Sequence, residues 1–230
     1  MSLVQPVARS RASADASGRR GRATRELILD TAERMICERG PDAVSMRQLA
    51  AAVGQGNNSA IQYYFESKEG LVRAIIARRA AQLEAIRKTM LADAIAQGSA
   101  NDAKVLLAVL FLPIAMIKDA DGRHVYAGFM LRALHSIWGE QAHLTHQAWM
   151  RAGPVREVMD TLCALRPDLS GAQLASRVLR LNRMFSSALV DWDHMRELAG
   201  EHDDEAFLLE DLMAMVAAAF AAPLPGPGKS

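Results

Sequence analysis

From Thr24 onward the apolar side chains recur at helical spacing. Leu27, Ile28, Ala32, Met35 and Ile36 share one face of a helix that Gly40-Pro41 stops. Ser45 with Gln48 three residues later is a capping-box start for a second helix through Met46, Leu49, Ala50 and Val53, and Gly54 supplies its exit. A polar connection, Gln55-Gly56-Asn57, leads to Asn58-Ser59 and a short helix through Ala60, Ile61, Tyr64 and Phe65. Ser67 then opens a long helix through Leu71, Ile75, Ile76, Leu83 and Ile86. The same spacing predicts helices near 102–118, 123–138, 141–152, 154–165, 170–199 and 203–221, with Pro113 kinking the first and Ser170/Gln173 capping the fifth. No segment alternates as a strand would, so the fold class is all-α.

Ahead of Thr24 the pattern vanishes. Arg9, Arg11, Arg19, Arg20 and Arg22 stand among Ser, Ala and Gly, which reads as a disordered basic arm over 1–23. Ala222–Ser230, with three prolines, reads as a flexible tail. Between them the sequence divides into a three-helix unit at 24–70 and a larger helical domain at 71–221. Charge divides similarly: residues 1–92 carry 15 basic and 9 acidic side chains, residues 93–230 carry 12 and 17. Such asymmetry marks a nucleic-acid-binding end joined to something else.

Composition narrows the classes. Of 230 residues half are hydrophobic and the net charge is +1, which excludes a disordered chain. Two cysteines, Cys37 and Cys163, exclude a disulfide scaffold and favour a reducing, cytoplasmic setting. The longest apolar run, Val105–Ile117, has 13 residues where a membrane span needs about 18, and the N-terminal stretch has arginines but not the apolar run expected of a secretory signal.

Two short helices around a tight turn, the second with a polar face, describe a helix-turn-helix. The second helix fits the DNA major groove, and Asn58, Ser59, Gln62 and Tyr63 offer groups that hydrogen-bond base edges; Arg47 can take guanine. The stretch Arg47-Gln-Leu-Ala-Ala-Ala-Val-Gly54, followed by Asn58-Ser-Ala-Ile-Gln-Tyr-Tyr-Phe65-Glu-Ser-Lys68-Glu-Gly-Leu71, resembles the DNA-binding domain of TetR-type transcriptional regulators. Its turn, Gly54 to Asn58, is one residue longer than the commoner Gly-Val-Ser form. It is similar to a branch with Asn-Asn-Ser-Ala and Gln-Tyr-His-Phe, in which Tyr64 here replaces His.

The resemblance implies base contacts from Arg47, Gln62 and Tyr63, phosphate contacts from Ser45, Tyr64, Lys68 and Thr24, and a structural role for Phe65. It implies a homodimer on a palindromic operator, joined through the last two long helices by Leu174, Val178, Leu181, Phe185, Leu208, Leu212 and Met215. It also implies a small-molecule effector pocket, here apolar, lined by Leu110, Phe111, Ile114, Phe129, Met130, Leu134, Trp138, Trp149 and Met184. Repression released by that effector is the family habit. No enzyme activity or cofactor is expected.

A different class is also permitted. Glu140/His143 form Glu-x-x-His, with His146 one turn on, and Asp191/His194 form Asp-x-x-His, the spacing of carboxylate-bridged metal bundles. Two further helical carboxylates that such a centre requires are not in place, so no metal ligand is assigned. Nucleophile triads, phosphate-cradling glycine loops and zinc-spaced cysteines do not occur in the sequence.

Overall fold

A computed structural model describes residues 7–54, 59–136, 153–199 and 204–224, with side chains in the first segment from Gly21 onward. Within these residues lie helices α1 (Val7–Arg39), α2 (Met46–Ala52), α3 (Ser59–Phe65), α4 (Lys68–Ala96), α5 (Ala103–Ala115), α6 (Val125–Ser136), α7 (Gly153–Leu165), α8 (Gly171–Ala199) and α9 (Glu205–Ala221), and no strand. The helix expected at 141–152 falls outside the described residues.

Two of the expected helix bounds need correction. The arm at 1–23 is not irregular where it is described: α1 reaches back to Val7. Helix formation costs most at its nucleus, and the turns around Ile28 are already held by packing. Each added residue then gains a hydrogen bond, and Ala and Arg are strong helix formers. α5 stops at Ala115 instead of running to 118, two residues beyond Pro113, whose missing donor weakens the last turn. Its start is capped by Asp102, whose carboxylate accepts from the Lys104 amide at 2.8 Å.

α1, α2, α3 and the first turns of α4 form an N-terminal head around Ile28, Leu29, Ile36, Leu49, Ile61, Phe65, Leu71, Val72 and Ile75, all buried. The remaining helices make the body, into which α4 continues with Leu83, Leu91 and Ala94 buried. One cluster of buried side chains runs unbroken from head to body.

The seam between them has two fastenings. Glu33 of α1, 1% exposed, accepts from Arg78 Nη2 at 2.9 Å, Arg79 Nε at 2.9 Å and Arg79 Nη2 at 2.6 Å. A carboxylate so deeply buried is tolerated only because two guanidiniums replace its water. Farther along α1, Cys37 packs onto Gly128 of α6: a Cβ added there would lie 2.3 Å from Cys37 Sγ and 3.4 Å from Val190 Cγ2 of α8. Burial pushes the Cys37 thiol up from 9.0 to about 11, so it stays neutral.

The loop between α5 and α6 is tied to α8 and α9. Buried His124 donates its backbone amide to Asp193 Oδ2 at 2.6 Å, and its Nδ1 lies 3.0 Å from Asp193 Oδ1. Its Nε2 is 3.5 Å from Glu205, which also pairs with Lys118. Arg123 adds a 2.9 Å pair with Glu197. At the far end of α9, Arg166 and Arg177 both donate to the carbonyls of Phe220 and Ala222, satisfying its C-terminal acceptors.

Most side chains expected at a dimer face are core instead. Leu174, Val178 and Phe185 are 0% exposed, and Leu181 and Leu212 are buried within the single chain. Periodicity marks which face of a helix is apolar but not whether its own chain or a second copy covers it. Leu208 is half-buried, and Met215 is exposed.

Gly128→Ala is expected to cost about 1–3 kcal/mol through overpacking against Cys37. In a Cys37→Ala background the same change should cost under about 1 kcal/mol, because the clashing sulfur is gone. Urea unfolding of the four proteins of this cycle measures the coupling.

Candidate nucleic-acid interface

α2 starts as its sequence requires. Ser45 Oγ accepts from the Gln48 amide at 3.1 Å, while Gln48 Oε1 accepts from the Ser45 amide at 2.9 Å. The Ser45 hydroxyl is therefore engaged in its own cap, where it also donates to Gln48 Oε1. Gly54 leaves α2 at φ +68°, a conformation only glycine takes cheaply.

α3 is anchored through Ile61 (0% exposed) and Phe65 (4%). Its opposite side presents Gln62, which is exposed, and Tyr63, 83% exposed. A tyrosine left so open beside a glutamine suits base-edge contact. Tyr64 is half-buried and stacks edge-on to Tyr63 at 5.3 Å between ring centroids. Its hydroxyl reaches α1, 3.4 Å from where a Cβ on Gly21 would lie. Arg25 covers the Phe65 ring at 5.4 Å.

The turn from α3 into α4 is the tightest part of the head. Glu66 adopts φ +60°, unusual for a residue with a side chain, and the Ser67 amide donates back to Phe65 O at 2.6 Å. Ser67 Oγ caps α4 by accepting from the Gly70 amide at 3.0 Å. A Cβ on Gly70 would lie 2.1 Å from Phe65 O, so only glycine lets α4 approach this closely. The exposed Glu69 carboxyl is held below its ordinary range by hydrogen bonds to its own backbone amide and to Ser67. Lys68 is the first residue of α4, which puts an ammonium at the positive end of a helix, a favourable place for phosphate.

The structure thus brings Gln62, Tyr63 and Lys68 to one helix and its exit, with Arg47, exposed, on α2. Thr24 lies half-buried on α1. Asn58 and the side chain of Ser59 fall outside the described residues.

The family model for bacterial regulatory proteins of the tetR family matches residues 28–75, the span from the α1 core to the seam. These residues are a TetR-family DNA-binding domain. That domain supports a DNA-binding transcriptional regulator. A search of curated proteins finds no match. Among the described residues, no helix is long and apolar enough to cross a membrane.

The TetR-type domain leaves the other expected sites to the body. Leu110, Phe111, Ile114 and Phe129 are all buried in the packed core; the Phe111 and Phe185 rings lie 5.7 Å apart. Met130 and Met184 are half-buried against that core. Trp138, Trp149 and the side chain of Leu134 lie outside the described residues. A described cavity of about 500 Å³ lies elsewhere, at the seam, and none of the expected apolar lining borders it. Glu140, His143 and His146 also fall outside the described residues, whereas Asp191 and His194 are exposed on α8. Among the described residues no three metal-ligating side chains cluster.

Sequence reading passed over Glu33, although a signal was present. It falls on the apolar face of α1, four residues after Leu29 and three before Ile36, where a charge requires a partner. Gly70 and Glu66 carry no such local signal, since their strain comes from how two helices meet.

Gly70→Ala should force α3 and α4 apart at Phe65 O, destabilising the chain by about 2 kcal/mol or more. It should also weaken DNA binding under conditions where the variant remains folded. Thermal unfolding and a DNA titration on the same samples test both effects.

Proposed function

We propose that this chain is an effector-responsive homodimeric repressor, cytoplasmic, that reads a palindromic operator with two copies of α3 and releases it when a small molecule binds. The observation that carries this reading is the division of labour on α3, with Ile61 and Phe65 holding the helix in the head and Gln62 and Tyr63 left to solvent. Arg47, Gln62 and Tyr63, together with Asn58 and Ser59, would read bases. Lys68 and Thr24 would grip phosphate, whereas Ser45 and Tyr64 would mainly hold the head in shape. Two-fold symmetry would set the reading helices about one DNA turn, or a multiple of it, apart.

The dimer face in this reading is the apolar surface that the chain leaves uncovered on α8 and α9. Met195 (54% exposed), Leu198 (83%), Phe207 (59%) and Met215 (47%) lie there. Exposed apolar side chains concentrated on two neighbouring helices suit a second copy. Phe207→Glu with Met215→Glu should shift the protein to monomer in sedimentation velocity without loss of helix by circular dichroism. A dimer that persists in that variant places the interface elsewhere.

DNA binding is tested by titrating the full chain at about 150 mM salt on intergenic DNA beside its own gene, against a scrambled duplex. Selective binding with two chains per site supports the reading, and equal, weak, salt-sensitive binding to both duplexes counts against it. Gln62→Ala should relax base preference by about 1–3 kcal/mol. Lys68→Ala should instead weaken binding to both duplexes alike and flatten the salt slope by about one phosphate contact.

A further inference from the structure

Ahead of Gly21, α1 runs back through residues 7–20, about 21 Å of helix at 1.5 Å per residue. This stretch holds Arg9, Arg11, Arg19 and Arg20 against one carboxylate, Asp15, and Arg22 follows one residue after Gly21. Between Val7 and Leu27 the apolar residues are all alanine.

The register of the arginines matters as much as their number. Arg9 and Arg20 are eleven residues apart, as are Arg11 and Arg22, and eleven residues make close to three whole turns. The two pairs therefore follow two lines along the helix, and at about 100° per residue those lines lie on nearly opposite sides. Positive charge on both sides, with no large apolar residue, excludes the stripe that a helix buries in a protein groove or a lipid surface. Duplex DNA meets such a helix, because it carries one negative charge per about 1.7 Å of axis and two strands border each groove.

The way this stretch joins the head places it beside the DNA-reading face. A Cβ on Gly21 would lie 3.4 Å from the Tyr64 hydroxyl, and one turn later Arg25 covers the Phe65 ring at 5.4 Å. Tyr64 and Phe65 both belong to α3, whose Gln62 and Tyr63 are left to solvent. Arg22, at the junction, is exposed as well. The match to the TetR-family domain spans residues 28–75 and does not include this stretch.

We propose that residues 7–22 of α1 are a second DNA-contacting element, whose arginines bind backbone phosphates of the duplex that α3 reads. The proposal rests on the regulator reading for the identity of that duplex. The element adds affinity and salt dependence but no base preference, since phosphates carry no sequence information.

The test compares the full chain with two variants, R9Q/R11Q/R19Q/R20Q and R9K/R11K/R19K/R20K. Each is titrated over a range of salt on the intergenic duplex and on its scrambled counterpart. The glutamine variant should bind both duplexes about tenfold or more weakly at about 150 mM salt. Its slope of log affinity against log salt should flatten by about two phosphate contacts or more, and the ratio between the duplexes should not change. The lysine variant should keep most of the affinity and slope, because an ammonium serves a phosphate as a point charge. Thermal unfolding should be the same for all three, since the head's core from Ile28 onward is untouched. Unchanged affinity and slope in the glutamine variant overturn the proposal. So does a changed ratio between the duplexes, or a lysine variant as weak as the glutamine one, either of which assigns the arm to base reading. Selective operator binding that the glutamine variant shares in full removes this element and leaves the regulator reading intact. Equal binding of both duplexes by the unsubstituted chain, weakened in the glutamine variant, does the reverse. No binding to either duplex removes both.

Discussion

The position of the reading head depends on one buried carboxylate. Glu33 sits almost wholly out of water on α1 and is held by the guanidiniums of Arg78 and Arg79 from α4. Removing either side would leave an uncompensated charge in the core, so the two helices keep their register at this point. Glu26 and Asp30 extend the pairing along α1 toward solvent. α3 hangs from the same two helices, through Phe65 beneath Arg25 and through the close turn at Gly70, so the aim of its exposed face follows from how α1 and α4 are joined.

The second contact of α1 gives the head something to respond to. At Gly128 of α6 an added Cβ would meet both Cys37 of α1 and Val190 of α8. α1, α6 and α8 thus meet at one point that has no room for a side chain on α6. Packed interiors move as discrete rearrangements rather than as continuous deformation. A change in how α8 and α9 sit would reach α1 through this glycine and through the loop that His124 fastens to Asp193.

Much of this was legible in the residues. The Ser45/Gln48 and Ser170/Gln173 capping boxes form as their spacing requires, because a cap is a local device satisfied within four residues. The helix-turn-helix was legible for a similar reason: its turn, its anchors Ile61 and Phe65 and its exposed Gln62 and Tyr63 all lie within one short stretch. The helical start at Val7 was not legible, since apolar periodicity is silent where a helix grows outward from a packed segment.

Local spacing therefore settled the helices, their caps and the side of α3 that faces away from the core. Which apolar faces meet was left to the tertiary structure. Leu174, Val178, Phe185 and Leu212 carry the same periodic signature whether their own chain or a second copy covers them, and the fold turned them inward. The charge pairings were decided there as well. Glu33 lies 45 residues from Arg78 and 46 from Arg79, and His124 lies 69 from Asp193. Contacts at such separations leave no periodic trace along the chain, because they exist only once several helices have packed at the same time.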